Sequence, residues 1–194
     1  MKRYFLVFIG IGLMLFLGSC QSPSTPGARN VASENTRKTV DPATRDNCLA
    51  LLDDLLNDEK NVSKLLIIKR NTTELKNLAV SISKTCANGA KLLKQIGKQE
   101  PGLNLKETLL PAGEVATRKA ITKTKESKLL HTNDQELEFQ LLLTQAEALN
   151  YGAHLAKVAA ENDANQNQAR ELTSLSSQLM QLHEQVLAML RHRS

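Results

Sequence analysis

The chain has 194 residues, with 25 Lys and Arg against 20 Asp and Glu, a formal net charge of +5 and no tryptophan. A surplus this mild does not supply the row of phosphate contacts that nucleic-acid binding requires, so no nucleic-acid partner is expected. Four Phe and two Tyr are the only aromatics, and all but Phe139 and Tyr151 fall within the first 19 positions. The body therefore builds its core from Leu, Ile, Val and Ala, without the aromatic lining common in small-molecule pockets.

Lys2 and Arg3 give a positive start, and Tyr4 to Leu17 an apolar run shorter than the ~20 residues that a spanning helix needs. The run closes on Leu17-Gly18-Ser19-Cys20. This stretch resembles a bacterial lipobox, in which the bond before the cysteine is cut and the thiol and new amine are acylated. The resemblance implies that residues 1–19 are a lipoprotein signal peptide and that Cys20, carrying palmitate-type chains, becomes the first residue of the mature protein. At ~0.8 kcal/mol per buried methylene, two or three chains hold a protein on a bilayer far more firmly than one. The expected site is the cell envelope, lipid-anchored and facing the periplasm. Gln21 and Ser22 after the cysteine, with no aspartate, resemble an outer-membrane address.

Loss of Lys2 and Arg3 leaves 23 basic residues against 20 acidic, a mature charge of +3. Residues 20–44 combine Ser, Thr, Asn and Gly with Pro23, Pro26 and Pro42 and almost nothing apolar, which predicts a disordered tether. Residues 45–194 remain for one domain with its own core.

The first helix is predicted from Arg45 or Asp46 to about Lys69, since Cys48, Leu52, Leu55, Glu59, Val62 and Leu66 alternate in steps of four and three, widened by Leu51, Leu56 and Leu65. Asn71-Thr72-Thr73-Glu74 reads as a turn with an N-cap and a capping glutamate at the third helical position. A second helix to about Ile96 carries Leu75, Leu78, Ala79, Ile82, Cys86, Ala90, Leu93 and Ile96 on one side, and Gly97 with Pro101-Gly102 ends it. These two helices form an antiparallel hairpin.

Residues 98–132 are the least regular, with Pro101 and Pro111 bracketing a loop and Glu114 to Leu130 forming a polar helix. Its Arg118, Lys119, Lys123, Lys125 and Lys128 read as a solvated face or, more sharply, as a patch for anionic lipid or polysaccharide. Asn133 to Glu136 cap a third long helix to about Glu161 with a seam of Phe139, Leu142, Ala146, Leu149, Ala153 and Ala156. Asn162 and Asp163 break it, and a last helix from about Ala164 to Leu190 places Leu172, Leu175, Leu179, Leu182, Val186 and Met189 at the same spacing. A middle segment of thirty-odd residues can travel the ~35–40 Å length of its neighbours at ~1.5 Å per residue. The expected fold is all-α, a ferritin-like four-helix bundle of two antiparallel hairpins joined by a long crossover holding a short extra helix. A plain up-down-up-down bundle is the alternative.

From Leu51 to Leu190 the chain also resembles a family of ferritin-like, exported bacterial proteins catalogued as a domain of unknown function. The likeness rests on Thr72, Glu74, Leu75 and Lys76 leading into Leu78-Ala79-Val80-Ser81-Ile82, then Leu92-Leu93, a loop, a polar helix and two long final helices. It implies the fold and an envelope location. Members commonly carry an aspartate-histidine pair after the position of Ile82; here Thr85 and Cys86 stand there, which leaves the family's metal or histidine chemistry without support.

Ferritin-like di-metal sites need glutamates from two helices and a glutamate three residues before a histidine on each of two others. Lys128, Tyr151, Met180 and Met189 precede His131, His154, His183 and His192 at that spacing, so no histidine qualifies. Glu59 is the only carboxylate on a seam as drawn, read as a residue near the surface of a tilted helix or a local defect, and His154 and His183 as boundary residues. No nucleophile elbow or glycine-rich loop is present. No catalytic, cofactor or metal residue is assigned, and lipidated Cys20 is the one site. In a straight hairpin turning near Asn71, Cys48 and Cys86 sit about 34 and 22 Å from the turn, beyond the ~7 Å Cα separation of a disulfide, so two buried free thiols are expected. The reading is a non-enzymatic binding or structural module, tied to the membrane through Cys20 and partnered by an unidentified envelope protein or polymer. A ferritin-like metal-binding or stress-response protein is the alternative.

Overall fold

The computed structural model describes residues 40–65, 72–106, 110–131 and 134–192. Every regular element among them is helical: α1 (Pro42–Glu59), the single turn α2 (Val62–Leu65), α3 (Thr73–Gln99), α4 (Ala112–His131), α5 (Asp134–Glu161) and α6 (Gln166–Arg191). No described helix is long and apolar enough to cross a membrane. The signal segment, Cys20 and the expected tether up to position 39 lie outside the described residues.

α1 starts three residues before the expected Arg45 because Asp41-Pro42 is a helix start. The Asp41 carboxylate accepts from the Ala43 N–H at 3.1 Å and the Thr44 hydroxyl at 2.6 Å. Pro42 sits in the first turn, where a missing N–H costs nothing. The helix also ends early. Asn57 donates back to the Asp53 carbonyl at 2.7 Å, and Asn61 to that of Asn57 at 3.3 Å. Such side-chain bonds compete with the helical ladder in a stretch rich in Asn and Asp, and the chain turns at Lys60-Asn61 before α2 restarts it. The Ser63 N–H donates to Ser83 Oγ at 3.1 Å, fixing the restarted turn on α3. The expected unbroken helix to Lys69 is thus corrected, and Leu66 and Lys69 lie outside the described residues.

α3 is capped by Thr72, whose hydroxyl accepts from the Leu75 N–H at 3.3 Å, so Glu74 is its second helical residue, one place short of the expected capping position. Its predicted stripe from Leu75 to Ile96 is buried throughout. In α6 Asn165 Oδ1 accepts from the N–H groups of Asn167 at 3.0 Å and Gln168 at 3.4 Å, and Leu172, Leu175, Leu179, Leu182 and Val186 are buried as predicted.

Four long helices, α1, α3, α5 and α6, close a ring in which α1 touches α3 and α5, and α6 touches α3 and α5, while α4, though also long, lies against α5. Cross-helix contacts fix the directions. Arg45 meets Glu100, and a Cβ on Gly89 would meet Leu56, so α1 and α3 are antiparallel. Asp41 meets Asn162 and Glu59 meets Gln145, so α1 and α5 are antiparallel. Gln99 meets Gln168 and Ser176 meets Ala153, so α6 opposes both α3 and α5. α3 and α5 therefore point the same way, their starts joined by the Thr72 hydroxyl donating to Glu138 at 2.9 Å. α4 runs back beside α5, with Arg118 against Tyr151 and Lys125 against Glu147.

The core is aliphatic: Leu49, Leu52 and Leu56 of α1, the α3 stripe, Leu141, Leu142, Leu149 and Ala156 of α5, and the leucines of α6. α1 approaches α5 so closely at Gly152 that a Cβ there would lie 2.7 Å from Leu55 Cδ2. The seam assignments shift on three helices, and Ala146 of α5 and Met189 of α6, both expected on seams, are half-buried. Phe139 is 44 % exposed, its place on α5 taken by Leu137 and Leu141, and the fully buried line of α1 is Leu49, Leu52 and Leu56, leaving Cys48 and Leu55 half-buried.

Candidate functional site

Polar groups enter the bundle at two levels. At the first, where α1 breaks, the Glu59 carboxylate turns inward and accepts from Gln145 Nε2 at 2.6 Å. Glu59 is half-buried at the break in α1, and burial pushes its carboxyl above the usual range, an effect the Gln145 hydrogen bond partly offsets. Cys86 of α3 faces the same level; burial, with the Glu59 charge adding to it, pushes its thiol up to about 12. A thiol held so firmly protonated is neither a ready nucleophile nor a ready metal ligand. From α6, His183 Nδ1 pairs with the Ala146 carbonyl at 2.9 Å, so the imidazole is engaged on α5 backbone.

Where a di-metal centre needs converging carboxylates, this level offers, among the described residues, one carboxylate, one amide, one thiol and an imidazole already engaged on backbone. Among the described residues no group of three or more His, Cys, Asp or Glu stands close enough to hold a metal ion. His154 is exposed, with Nδ1 against the Asn150 carbonyl at 2.8 Å. Cys48 and Cys86 are both free thiols, the first half-buried and raised by burial, the second buried. Cys48 thus departs from the expectation of two buried thiols.

The second level is the end of the bundle where α1 starts, α3 ends and α5 turns into α6. Arg45 Nη2 lies 2.7 Å from Asp46, Arg45 Nη1 reaches Glu100 Oε1 at 3.4 Å, and Nη1 stands 3.7 Å from Asp163 Oδ1. The Asp163 side chain is wholly buried, and its Oδ1 also accepts from the Asn165 N–H at 2.7 Å. One guanidinium thus ties three helix ends together around a buried carboxylate. The sequence showed Asp163 only as a helix breaker; its partnership with Arg45 spans more than a hundred residues and had no local signal.

Among the described side chains the α4 basic group does not form one face, and the side chain of Lys128 lies outside those described. Arg118 is turned onto α5, donating to Glu114 at 2.8 Å and to the Tyr151 hydroxyl at 3.0 Å, with its guanidinium carbon 5.4 Å from that ring's centroid. Lys125 pairs with Glu147. Lys119 and Lys123 are left exposed. A feature the sequence reading passed over lies on α3, whose outer side carries Lys76, Lys84, Lys91, Lys94 and Lys98, all exposed.

Compared with family models, curated proteins and solved structures, the chain matches none of them.

Proposed function

We propose that this protein is an envelope lipoprotein, acylated at Cys20, whose helical bundle is a binding or structural module with no chemistry of its own. The observation that carries the reading is the interior: leucine and alanine fill the space between the four long helices, and the one inward carboxylate of the Glu59 level meets an amide. The N-terminal pattern Lys2, Arg3, an apolar run and Leu17-Gly18-Ser19-Cys20 supports the anchor. The finer architecture in this proposal is a ferritin-like crossover bundle, supported by α3 and α5 pointing the same way with α4 running between their ends, and it is the ground for relating the chain to the ferritin-like exported family.

Expression of the full chain and of Cys20→Ala tests the anchor. Acylation should shift the mass of the N-terminal peptide of the mature protein and keep it in the membrane fraction. C20A should lack that mass and leave the lipid-bound fraction. An unmodified Cys20 peptide retained with its upstream residues would overturn the anchor. Stoichiometric iron, manganese or zinc in protein purified without added metal would overturn the inert interior in favour of a metal-binding role.

A further inference from the structure

The outer side of α3 has a charge pattern that nothing in the fold requires. At ~100° per residue, Lys76, Lys84, Lys91, Lys94 and Lys98 fall within about 80° of arc along about 33 Å of helix, with Val80 inside the same stripe. All five lysines are exposed, and Val80 is 57 % exposed. Glu74 is the only acidic residue of α3, and among the described residues none of the five lysines forms a salt bridge. Lys94 acts at longer range on Asp53 of α1. The inner side of α3 is packed against α1 and α6, so the stripe faces away from the core. Five like charges in a row repel one another, and among the described residues only Lys94 has a carboxylate acting on it, at long range; an external anion array would compensate the rest.

We infer that this stripe is a docking face for a bilayer carrying anionic headgroups, which deepens and rests on the lipoprotein reading. Two observations select a flat lipid surface. The charges lie along one face of a single 27-residue helix, with an apolar residue among them, as an interfacial helix presents itself. The chain from Cys20 enters the bundle at the end where α3 finishes: Arg45, near the start of α1, meets Glu100, two positions beyond Lys98. The intervening 21 residues reach at most about 70 Å, so an anchored Cys20 leaves α3 within range of the same membrane and short enough to raise its local concentration there. Each lysine brought to an anionic surface multiplies partitioning roughly five-fold, an effect that salt screens.

The test uses the full-length acylated protein reconstituted into vesicles of phosphatidylcholine alone or of phosphatidylcholine with phosphatidylglycerol. Amine acetylation followed by mass spectrometry reads each lysine. The expected result is at least about ten-fold slower labelling of the five α3 lysines on the anionic vesicles at low salt, with no slowing on neutral vesicles or at high salt. Lys119, Lys123 and Lys157 should label at the same rate throughout. The triple change Lys76→Gln, Lys84→Gln, Lys91→Gln, all on the surface, should restore fast labelling of Lys94 and Lys98. Equal labelling on both vesicle types overturns the docking face, as does protection by soluble heparin without protection by vesicles, which would assign the stripe to a polyanionic polymer. Retention on neutral vesicles reads the acyl anchor separately; protein that floats only with anionic vesicles would sink the anchor while upholding the stripe.

Discussion

α6 and α4 are both long helices rich in polar residues, yet they are held in the molecule by different means. α6 buries Leu172, Leu175, Leu179, Leu182 and Val186 between α3 and α5. α4 has no buried side chain among its described residues and meets α5 through the Arg118–Tyr151 contact and the Lys125–Glu147 pair. The first kind of attachment scales with apolar area, at roughly 25 cal/mol per Å². The second is a set of exposed polar contacts, each worth about 0–1 kcal/mol. α4 is therefore expected to belong to the part of the molecule that opens first.

Substitutions should separate the two kinds of attachment. Leu172→Ala removes a fully buried α6 side chain and should cost about 3–4 kcal/mol in denaturant unfolding, with an unchanged slope. A loss under ~1 kcal/mol would mean that α6 is not packed as described.

Arg45→Ala leaves the buried Asp163 without its cation and should cost about 2 kcal/mol, less than a fully buried pair because Asp46 and Glu100 are partly exposed. The double variant with Asp163→Asn should recover part of that loss; a double variant as unstable as the sum of the two singles would break the proposed tie.

Glu59→Gln works in the opposite direction. Burial raises the folded-state carboxyl above its unfolded value, so the folded state favours the protonated form. Stability from this group is complete below the unfolded value and is lost as pH rises through the folded value. Between mild acid and neutral pH the native protein should lose this contribution, while E59Q, which can still accept from Gln145, should not. At neutral pH E59Q should melt about 2–4 °C higher, equivalent to ~1 kcal/mol. A lower melting temperature would show that the ionised carboxylate is favoured where it stands.

The smallest effect is expected on α4. Arg118→Ala should change global stability by less than ~0.5 kcal/mol but speed hydrogen exchange along α4 well ahead of α6. Equal protection of the two helices would erase the distinction between them.

The elements most legible in the sequence were those whose burial obeys a strict helical period. The α3 stripe and the leucine line of α6 were recognisable residue by residue, because each faces two neighbours at once and leaves only one side apolar. Phe139 was misplaced because α5 carries apolar residues on more than one side, so its spacing alone allowed two seams. The break after Glu59 and the cap at Asp41 were written in residue types, Asn57 with Asn61 and Asp41 with Pro42, that local side-chain bonding converts into a helix stop and a helix start. Glu59 was visible as an oddity on an apolar face; its partner Gln145 was not, since that pairing crosses 86 positions.

By itself the sequence determined an all-helical body with an aliphatic core, because hydrophobic period and helix ends are local properties of the chain. Which helix lies beside which, which way α3 and α5 point, and which polar side chains meet at Glu59 and Asp163 were decided by tertiary structure alone. Aliphatic stripes attract one another without regard to identity, and only the simultaneous packing of all of them, with the few buried polar groups finding partners, selects one arrangement.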